Sequence, residues 1–378
     1  MIILEKVTKT KINEFDDVIK LINQIFRSRI NELPTMKEEF PLLLNENNID
    51  NMRIIKKDNQ VVSVVNFMKD IIKIEGLEIN YGAIGAVCTK AEYTKRGYSS
   101  LILDDVEKSM DDQNVDICLI SGTRSLYTRR DAIIAKSFKI YNVEPESMDL
   151  GFKIRNYEEK DLVEMMRLYN QQSTRYSRSM EDFRKLINSG THNWGEFSYT
   201  RHVFIRDNNV VGYVVIRTIE NKERKYGEIV ELRGTTLDVH KGLKQLAHEL
   251  NLSKIEYAVH IKDKLNHLDQ YFRYELGNQE GVIKIINYER FIKKLRGYFE
   301  MYLTEQEIEH LRFTYDKGYN IEFYDEKIKL SNLKEITDII FGYDEIEKIE
   351  FQDNSKLEKI LKNIFPLPMP WTKNLNYQ

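Results

Sequence analysis

The residues of this chain that could do chemistry are concentrated between positions 83 and 130, in the segment AIGAVCTKAEYTKRGYSSLILDDVEKSMDDQNVDICLISGTRSLYTRR. A buried strand is predicted to end at Thr89, and a polar loop then leads to Gly97, Ser99 and Ser100 at the start of a helix. The first backbone N–H groups of a helix are unpaired and lie at the positive end of its dipole, so small residues there let a diphosphate approach. The pattern therefore predicts an anion site, although one glycine at a helix start also suits a simple turn.

This segment resembles the central motif of the Gcn5-related N-acetyltransferase (GNAT) superfamily, in which a strand leads through an Arg/Gln-x-x-Gly-x-Gly/Ala loop into a helix. The resemblance aligns Thr94 with the usual Arg or Gln, Gly97 with the required glycine and Ser99 with the final small residue. Thr94 and Ser99 depart from the pattern, but both are small and leave the backbone donors available. The resemblance implies acetyl-CoA as the cosubstrate, and no metal.

The resemblance also implies a role for each part of the segment. The end of one strand would pair its backbone with the pantetheine arm of acetyl-CoA, at Val87, Cys88 and Thr89. The loop and helix start would hold the pyrophosphate, through Lys95, Arg96, Gly97, Tyr98, Ser99 and Ser100. Two further residues, Gly122 and Thr123, would lie where the next strand ends.

Tyr127, in SGTRSLYTRR, is the candidate general acid. The resemblance places it where many members of the superfamily keep a tyrosine that protonates the departing CoA thiolate. A phenol ionises near pH 10, not far from an ordinary thiol, so this transfer is nearly matched in energy. The alternative is a core tyrosine without a catalytic role. Arg124, Arg129 and Arg130 lie beside it and either grip the 3′-phosphate of CoA, line an acceptor site, or are simply solvated.

The general base is less evident, because residues 79–89, INYGAIGAVCT, contain no carboxylate. Enzymes of the enhanced-intracellular-survival (Eis) type, which the whole-chain layout resembles, use the C-terminal carboxylate of the chain, which here belongs to Gln378. The closing FPLPMPWTKNLNYQ has prolines at alternate positions and apolar residues between them, so it is predicted to be extended and docked. A docked tail could deliver that carboxylate or merely buttress the fold.

The elements around this segment repeat at a spacing near 150 residues. KKDNQVVSVVNF at 56–67 and IRDNNVVGYVVI at 205–216 each predict a hairpin with an Asp-Asn turn. In the second copy, TTLDVHKGLKQLAHEL has Gly242 alone, followed by bulky residues, so we predict that this copy does not bind CoA. The Eis-type layout implies an α/β protein with mixed sheets, in which tandem GNAT folds are followed by a sterol-carrier-protein-like (SCP2-like) α+β domain. The expected domains are 1–150 (catalytic), 151–281 (degenerate) and 282–378.

Composition narrows the function classes. The 378 residues carry 57 Lys and Arg against 60 Asp and Glu, a net charge of −3 that gives no general attraction to nucleic acid or anionic lipid. The two cysteines lie in apolar surroundings, and no apolar run is long enough to span a membrane, so a cytoplasmic protein is expected. We therefore predict an acetyl-CoA-dependent N-acetyltransferase acting on a primary amine, with aminoglycosides or polyamines suggested by the resemblance. The alternative is an acyl-CoA-responsive or lipid-binding module without catalysis, and assembly into a homo-oligomer stays open.

Overall fold

The computed structural model describes residues 6–27, 33–189, 197–263 and 268–376. The helices of these residues are α1 (Phe15–Phe26), α2 (Met36–Glu39), α3 (Tyr98–Asp112), α4 (Ser125–Thr128), α5 (Leu162–Asn170), α6 (Met180–Ser189), α7 (Thr236–Glu249), α8 (Tyr288–Phe299), α9 (Glu305–His310), α10 (Leu333–Phe341) and α11 (Lys356–Ile364). The strands up to residue 176 are β1 (Thr8–Lys9), β2 (Met52–Lys57), β3 (Gln60–Ile74), β4 (Leu77–Thr89), β5 (Ile117–Ile120), β6 (Lys136–Val143), β7 (Lys153–Asn156) and β8 (Arg175–Tyr176). The later strands are β9 (Phe197–Arg206), β10 (Asn209–Glu220), β11 (Lys225–Gly234), β12 (Ile255–His260), β13 (Arg273–Asn278), β14 (Val282–Ile285), β15 (Leu311–Tyr315), β16 (Tyr319–Phe323) and β17 (Glu326–Leu330).

The first sheet has the order β1-β2-β3-β4-β5-β14, with β8 paired to β3. Its strands are antiparallel except for β4 and β5, which run parallel through the pairs from Tyr81–Ile117 to Ile84–Ile120. Helix α3 connects these two strands and packs its apolar face, including Ile102 and Val106, into the core on one side of the sheet. This strand–helix–strand unit follows the expected order.

Both predicted hairpins are confirmed. Asp58 and Asn59 join β2 to β3 with φ of 47° and 62°, and Asp207 and Asn208 join β9 to β10 with φ of 49° and 64°. Two consecutive residues with positive φ define the type I′ turn, which matches the twist of the strands it joins and which Asn and Asp tolerate well.

The second sheet has the order β13-β6-β12-β11-β10-β9-β7. The two sheets exchange strands: β6 lies between β12 and β13 of the second sheet, and β14 pairs antiparallel with β5 of the first. Strand hydrogen bonds therefore cross positions 150 and 281, and the division of the chain into domains at those positions stays a prediction.

The last part of the chain contains helices α8 to α11 and a three-stranded antiparallel sheet, β15-β16-β17. Beyond α11 the tail is extended and buried: Phe365, Leu367 and Met369 are almost fully shielded from solvent, and the Leu367 N–H donates to the Ile340 carbonyl at 2.7 Å. The predicted docking of the tail is confirmed as far as residue 376.

The fold class is confirmed as a mixed α/β architecture with two large mixed sheets in tandem. Among the described residues, no helix combines the length and the apolar character needed to cross a bilayer.

Candidate functional site

Strands β4 and β5 separate beyond Ile84, and the candidate site lies at this separation. Their parallel pairing ends at Ile84–Ile120, where the Ser121 N–H still reaches the Ile84 carbonyl at 3.3 Å. Ala86 next adopts φ +52°, and the register with β3 shifts at the same place. This bulge turns β4 away from β5, so Val87, Cys88 and Thr89 flank an open cleft rather than a paired neighbour.

Helix α3 starts at the mouth of this cleft. Gly97 precedes the helix with φ +81°, a left-handed conformation that glycine adopts without strain. The first bond within the helix joins the Leu101 N–H to the Gly97 carbonyl, so the amides of Tyr98, Ser99 and Ser100 belong to the unpaired first turn. The Ser99 hydroxyl lies 3.1 Å from that of Thr89, which ties the start of α3 to the end of β4.

A cavity of about 510 Å³, here called the α3 cavity, lies between these elements. It is lined by Ile25, Phe26, Val87, Cys88, Thr89, Tyr93, Thr94, Lys95, Gly97, Tyr98, Ser99, Ser100, Arg124, Ser125, Leu126 and Arg129. Lys95, Arg124 and Arg129 bring positive charge, and no acidic residue of the described chain is in the lining. Basic side chains together with the N-terminal turn of a helix suit a polyanionic ligand.

The structure brings most of the predicted binding residues together in the α3 cavity, with three exceptions. Arg96 points elsewhere, since its guanidinium lies over the Tyr93 ring and donates to the Glu92 carbonyl at 3.0 Å. Gly122 and Thr123 follow β5 outside the lining. Of the three neighbouring arginines, Arg130 also points away from the cavity, because it pairs with Glu107 of α3 at 2.8 Å.

Tyr127 lies in α4, directly below the end of β5. It is 3% exposed and packs in the core with Cys118, Ile120 and Tyr98, and it is not part of the lining of the α3 cavity. A Cβ built on Gly122 would lie 4.0 Å from the Tyr127 ring, which places the tyrosine next to the end of β5. Burial raises the pKa of the Tyr127 hydroxyl, so it is protonated at neutral pH and can act as a proton donor.

The C-terminal tail reaches the last paired residues of β4 and β5, because Thr372 and Asn376 line a small cavity together with Ile84 and Ile120. The Thr372 hydroxyl donates to the Glu280 carbonyl at 2.8 Å, and the Arg178 Nε donates to the Asn376 side-chain oxygen at 2.7 Å. Arg178 is itself held by a buried ion pair with Glu231 at 2.8 Å. Gln378, the predicted source of the base, lies outside the described residues.

A small cavity of about 20 Å³ lies beside the last paired residues of β4 and β5, and we call it the splay cavity. It is lined by Tyr81, Ala83, Ile84, Leu119, Ile120, Ser121, Tyr176, Glu280, Thr372 and Asn376. Tyr81 is fully buried, and its hydroxyl has no hydrogen-bond partner among the described residues. Sequence reasoning missed Tyr81 and Glu280, although Tyr81 stands in the very strand that was searched for a base.

A third cavity, of about 400 Å³, adjoins the splay cavity, and we call it the acidic cavity. It shares Glu280 with the splay cavity, and its Arg27 directly follows Ile25 and Phe26 of the α3 cavity. It is lined by Arg27, Glu39, Phe40, Ile140, Ser189, Tyr199, Arg217, Glu228, Ile229, Val230, Glu256, Ala258, Glu280, Trp371, Lys373, Asn374 and Leu375. Four glutamates face three cations, so its charge is opposite to that of the α3 cavity. Among the described residues, no group of three His, Cys, Asp or Glu is arranged to hold a metal ion.

The second copy differs at the corresponding helix. Gly242 lies inside α7 and not at its start, because the helix begins at Thr236 with Thr235 as its cap. A Cβ on Gly242 would lie 2.7 Å from the Phe204 ring, so this glycine permits close packing of helix on sheet. The first turn of α7 holds the buried Asp238, which accepts from Arg206 at 2.6 Å. A carboxylate in the first turn of the helix disfavours a second anion there, which supports the prediction that this copy does not bind CoA.

Comparison with known proteins agrees with these observations. Residues 6–134 match a family model described as an acetyltransferase (GNAT) domain. None of the curated proteins compared with the chain matches it significantly.

Solved structures share the fold over nearly the whole chain. A GCN5-related N-acetyltransferase from Anabaena variabilis is 13% identical with a TM-score of 0.66, and the match covers 97% of this chain and 99% of that one. A protein of unknown function from Enterococcus faecalis, described as a probable N-acyltransferase, is 14% identical with a TM-score of 0.67 and covers 97% and 98%. Eis1 from Mycobacterium abscessus is 10% identical with a TM-score of 0.61 and covers 98% and 99%. At these identities the likeness concerns the fold alone.

Proposed function

We propose that this protein transfers the acetyl group of acetyl-CoA to a primary amine, because residues 6–134 match a family model described as a GNAT acetyltransferase domain. The observation that carries the proposal is the α3 cavity, which combines the first turn of α3, the free edge of β4 and three basic side chains without an opposing acid among the described residues. The diphosphate would bind at the amides of Tyr98 to Ser100. The pantetheine arm would run along Val87 to Thr89 toward Ile84 and Ile120, where the pairing of β4 and β5 ends.

The thioester would lie at that point, since the β4–β5 pairing at Ile84–Ile120 closes the cleft. The acceptor would approach through the acidic cavity, which shares Glu280 with the splay cavity. A cavity rich in carboxylates suits a cationic acceptor, just as the basic cavity suits a nucleotide. The two substrates would then meet at the separation of the strands.

In the reaction, the ammonium group of the acceptor first loses one proton to a base, because only a neutral amine is nucleophilic. Its nitrogen then forms a bond to the acetyl carbonyl carbon and loses a second proton, while the carbon–sulfur bond breaks. Tyr127 protonates the departing thiolate and is itself reprotonated from solvent. One ammonium and one thioester thus give one amide, one thiol and one free proton. The C-terminal carboxylate of Gln378 is the proposed base, and the proposal is supported by Thr372 and Asn376 of the described tail, which line the splay cavity.

The test is release of CoA thiol from acetyl-CoA with a panel of amines, namely aminoglycosides, polyamines and lysine peptides. Tyr127→Phe should lower kcat by about 100-fold or more, the size of a lost general acid, while the affinity for CoA stays within twofold. Tyr315→Phe, which changes an exposed tyrosine of β15, is the matched control. Saturable CoA binding without thiol release from any amine would overturn the assignment as an enzyme. An equal loss of turnover and CoA affinity in Tyr127→Phe would make this tyrosine structural.

A further inference from the structure

Glu280 is held at the end of β5 by the backbone around it. It lies in the turn between β13 and β14, where Gly281 adopts φ +78°. A Cβ on Gly281 would lie 2.2 Å from the Ile120 carbonyl oxygen, so the turn packs directly against the last residue of β5. The Gln279 N–H donates to the Ala135 carbonyl at 2.8 Å, and the Thr372 hydroxyl donates to the backbone carbonyl of Glu280.

The charges around Glu280 leave its carboxylate less satisfied than its neighbours in the acidic cavity. Glu39 pairs with Arg27, and Glu228 pairs with both Arg217 and Lys373, the latter at 3.1 Å. Among the residues that the structure describes, Glu280 has one cation nearby, Lys373, at 3.8 Å, which is beyond hydrogen-bond distance, and its side chain is 42% exposed to solvent. A second ammonium group placed beside Glu280 would therefore complete a charge pair that the tail lysine leaves incomplete.

Tyr81 is the independent sign of a ligand at the same place. Burying a hydroxyl without a partner is costly, and such a group in a folded protein calls for an explanation. Tyr81 shares the splay cavity with Glu280, and the cavity has room for one atom of the size of a water molecule or an amino group. A ligand nitrogen in this cavity would give the hydroxyl its missing hydrogen bond.

We propose that the splay cavity receives the amino group of the acceptor, with the Glu280 carboxylate as counter-ion to its ammonium form and the Tyr81 hydroxyl as its hydrogen-bond partner. This inference rests on the proposed function, because it requires the thioester to lie where the pairing of β4 and β5 ends. Glu280 is then the residue that selects cationic acceptors. It acts in binding, and the proton leaves to the base described above.

The experiment compares Glu280→Gln with Glu275→Gln, using spermidine as the acceptor. Glu275 is exposed on β13, five residues before Glu280 and outside the three cavities, so its replacement changes the net charge equally. Glu280→Gln should raise the KM for spermidine about tenfold or more, as expected for a lost hydrogen bond to a charged group, with kcat and the KM for acetyl-CoA within about twofold. Glu280→Asp should recover part of this loss, and Glu275→Gln should match the wild type.

Tyr81→Phe supplies a second variant that is expected to fold. Removing a buried hydroxyl without a partner should leave stability unchanged or slightly higher, so a loss of kcat/KM for spermidine would reflect a contact with the acceptor. Equal spermidine KM values in the wild type and Glu280→Gln would overturn the inference. So would a Glu280→Gln variant whose kcat falls with an unchanged KM.

Calorimetry separates this inference from the proposed function. Spermidine is titrated into the CoA-saturated wild type and into the CoA-saturated Glu280→Gln variant. If the wild type releases no thiol but binds spermidine about tenfold more tightly than the variant, the site stands and the proposed reaction fails. If the wild type binds CoA but not spermidine, or both proteins bind spermidine equally, the inference about the splay cavity is wrong.

Discussion

Replacing Gly97 by alanine tests whether the start of α3 binds the diphosphate. At φ +81° an L-residue is strained, and the cost of a left-handed conformation is about 1–2 kcal/mol. A Cβ on Gly97 would meet no atom within 4 Å, so the substitution creates no clash in the free protein. Gly97 lines the α3 cavity, however, so the added methyl group would take up space beside the first-turn amides. We expect Gly97→Ala to lose about 1–2 kcal/mol of unfolding free energy and about tenfold or more in CoA affinity.

Gly76 offers a matched control for the strain. It lies in the turn between β3 and β4 with φ +94°, a Cβ there also meets nothing within 4 Å, and it lines none of the three cavities. Gly76→Ala should therefore lose a similar amount of stability and keep its affinity for CoA. Urea denaturation measures the first quantity and isothermal titration calorimetry the second.

If Gly97→Ala binds CoA as tightly as Gly76→Ala does, the backbone at the start of α3 does not contact the diphosphate. If both variants weaken binding to the same degree, the effect comes from lost stability and not from the cavity.

Three further predictions concern the sheet and the tail. Burial raises the pKa of Asp70 to about 6 in the folded protein, so the folded state holds this proton more tightly than the unfolded state does. The wild type should therefore lose stability as pH rises through 6, whereas Asp70→Asn cannot ionise and should not show this loss. Asp70→Asn should therefore be more stable by about 2–3 kcal/mol at pH 8 but nearly equal at pH 4 in urea denaturation, and a pH-independent difference would contradict the shift. Gly281→Ala should lose clearly more unfolding free energy than Gly76→Ala, because both variants strain a positive φ but only the Cβ at position 281 also clashes with a backbone carbonyl, that of Ile120. Equal losses in the two variants would argue against the close packing of Gly281 on Ile120. Two residues added after Gln378 should reduce turnover at least tenfold at unchanged CoA affinity, as loss of a positioned base requires, and a full-rate extended protein would remove the C-terminus from the mechanism.

The sequence predicted those features that depend on neighbouring residues. The Asp-Asn turns at 58–59 and 207–208 follow from local backbone preferences, and so does Gly97 before α3. The start of α7 could have been found in the same way, since Thr235 followed three residues later by Asp238 is a capping signal. Gly242 does not mark the start of this helix, because it permits close packing on Phe204, a contact that exists only in the folded chain.

Features that depend on distant contacts could not be predicted. Glu280 lies 150 residues beyond the end of the motif segment 83–130, and it lies near the site because the turn that contains Gly281 packs on Ile120. Tyr81 could be located on its strand, but its unpaired hydroxyl follows from what surrounds it. The exchange of β6 and β14 between the sheets was equally hidden, because short apolar runs such as KSFKIYNV and VIKI do not reveal which strand they will join.

The strand exchange makes the two halves of the protein inseparable by any single cut. A fragment ending at residue 134 would contain the whole matched GNAT segment yet leave β5 without its neighbour β14, an open apolar edge prone to self-association. A fragment starting at residue 151 would lack β6 from the middle of its own sheet. During synthesis on the ribosome, the first sheet can therefore be completed only after about 285 residues have emerged, because β5 must wait for β14.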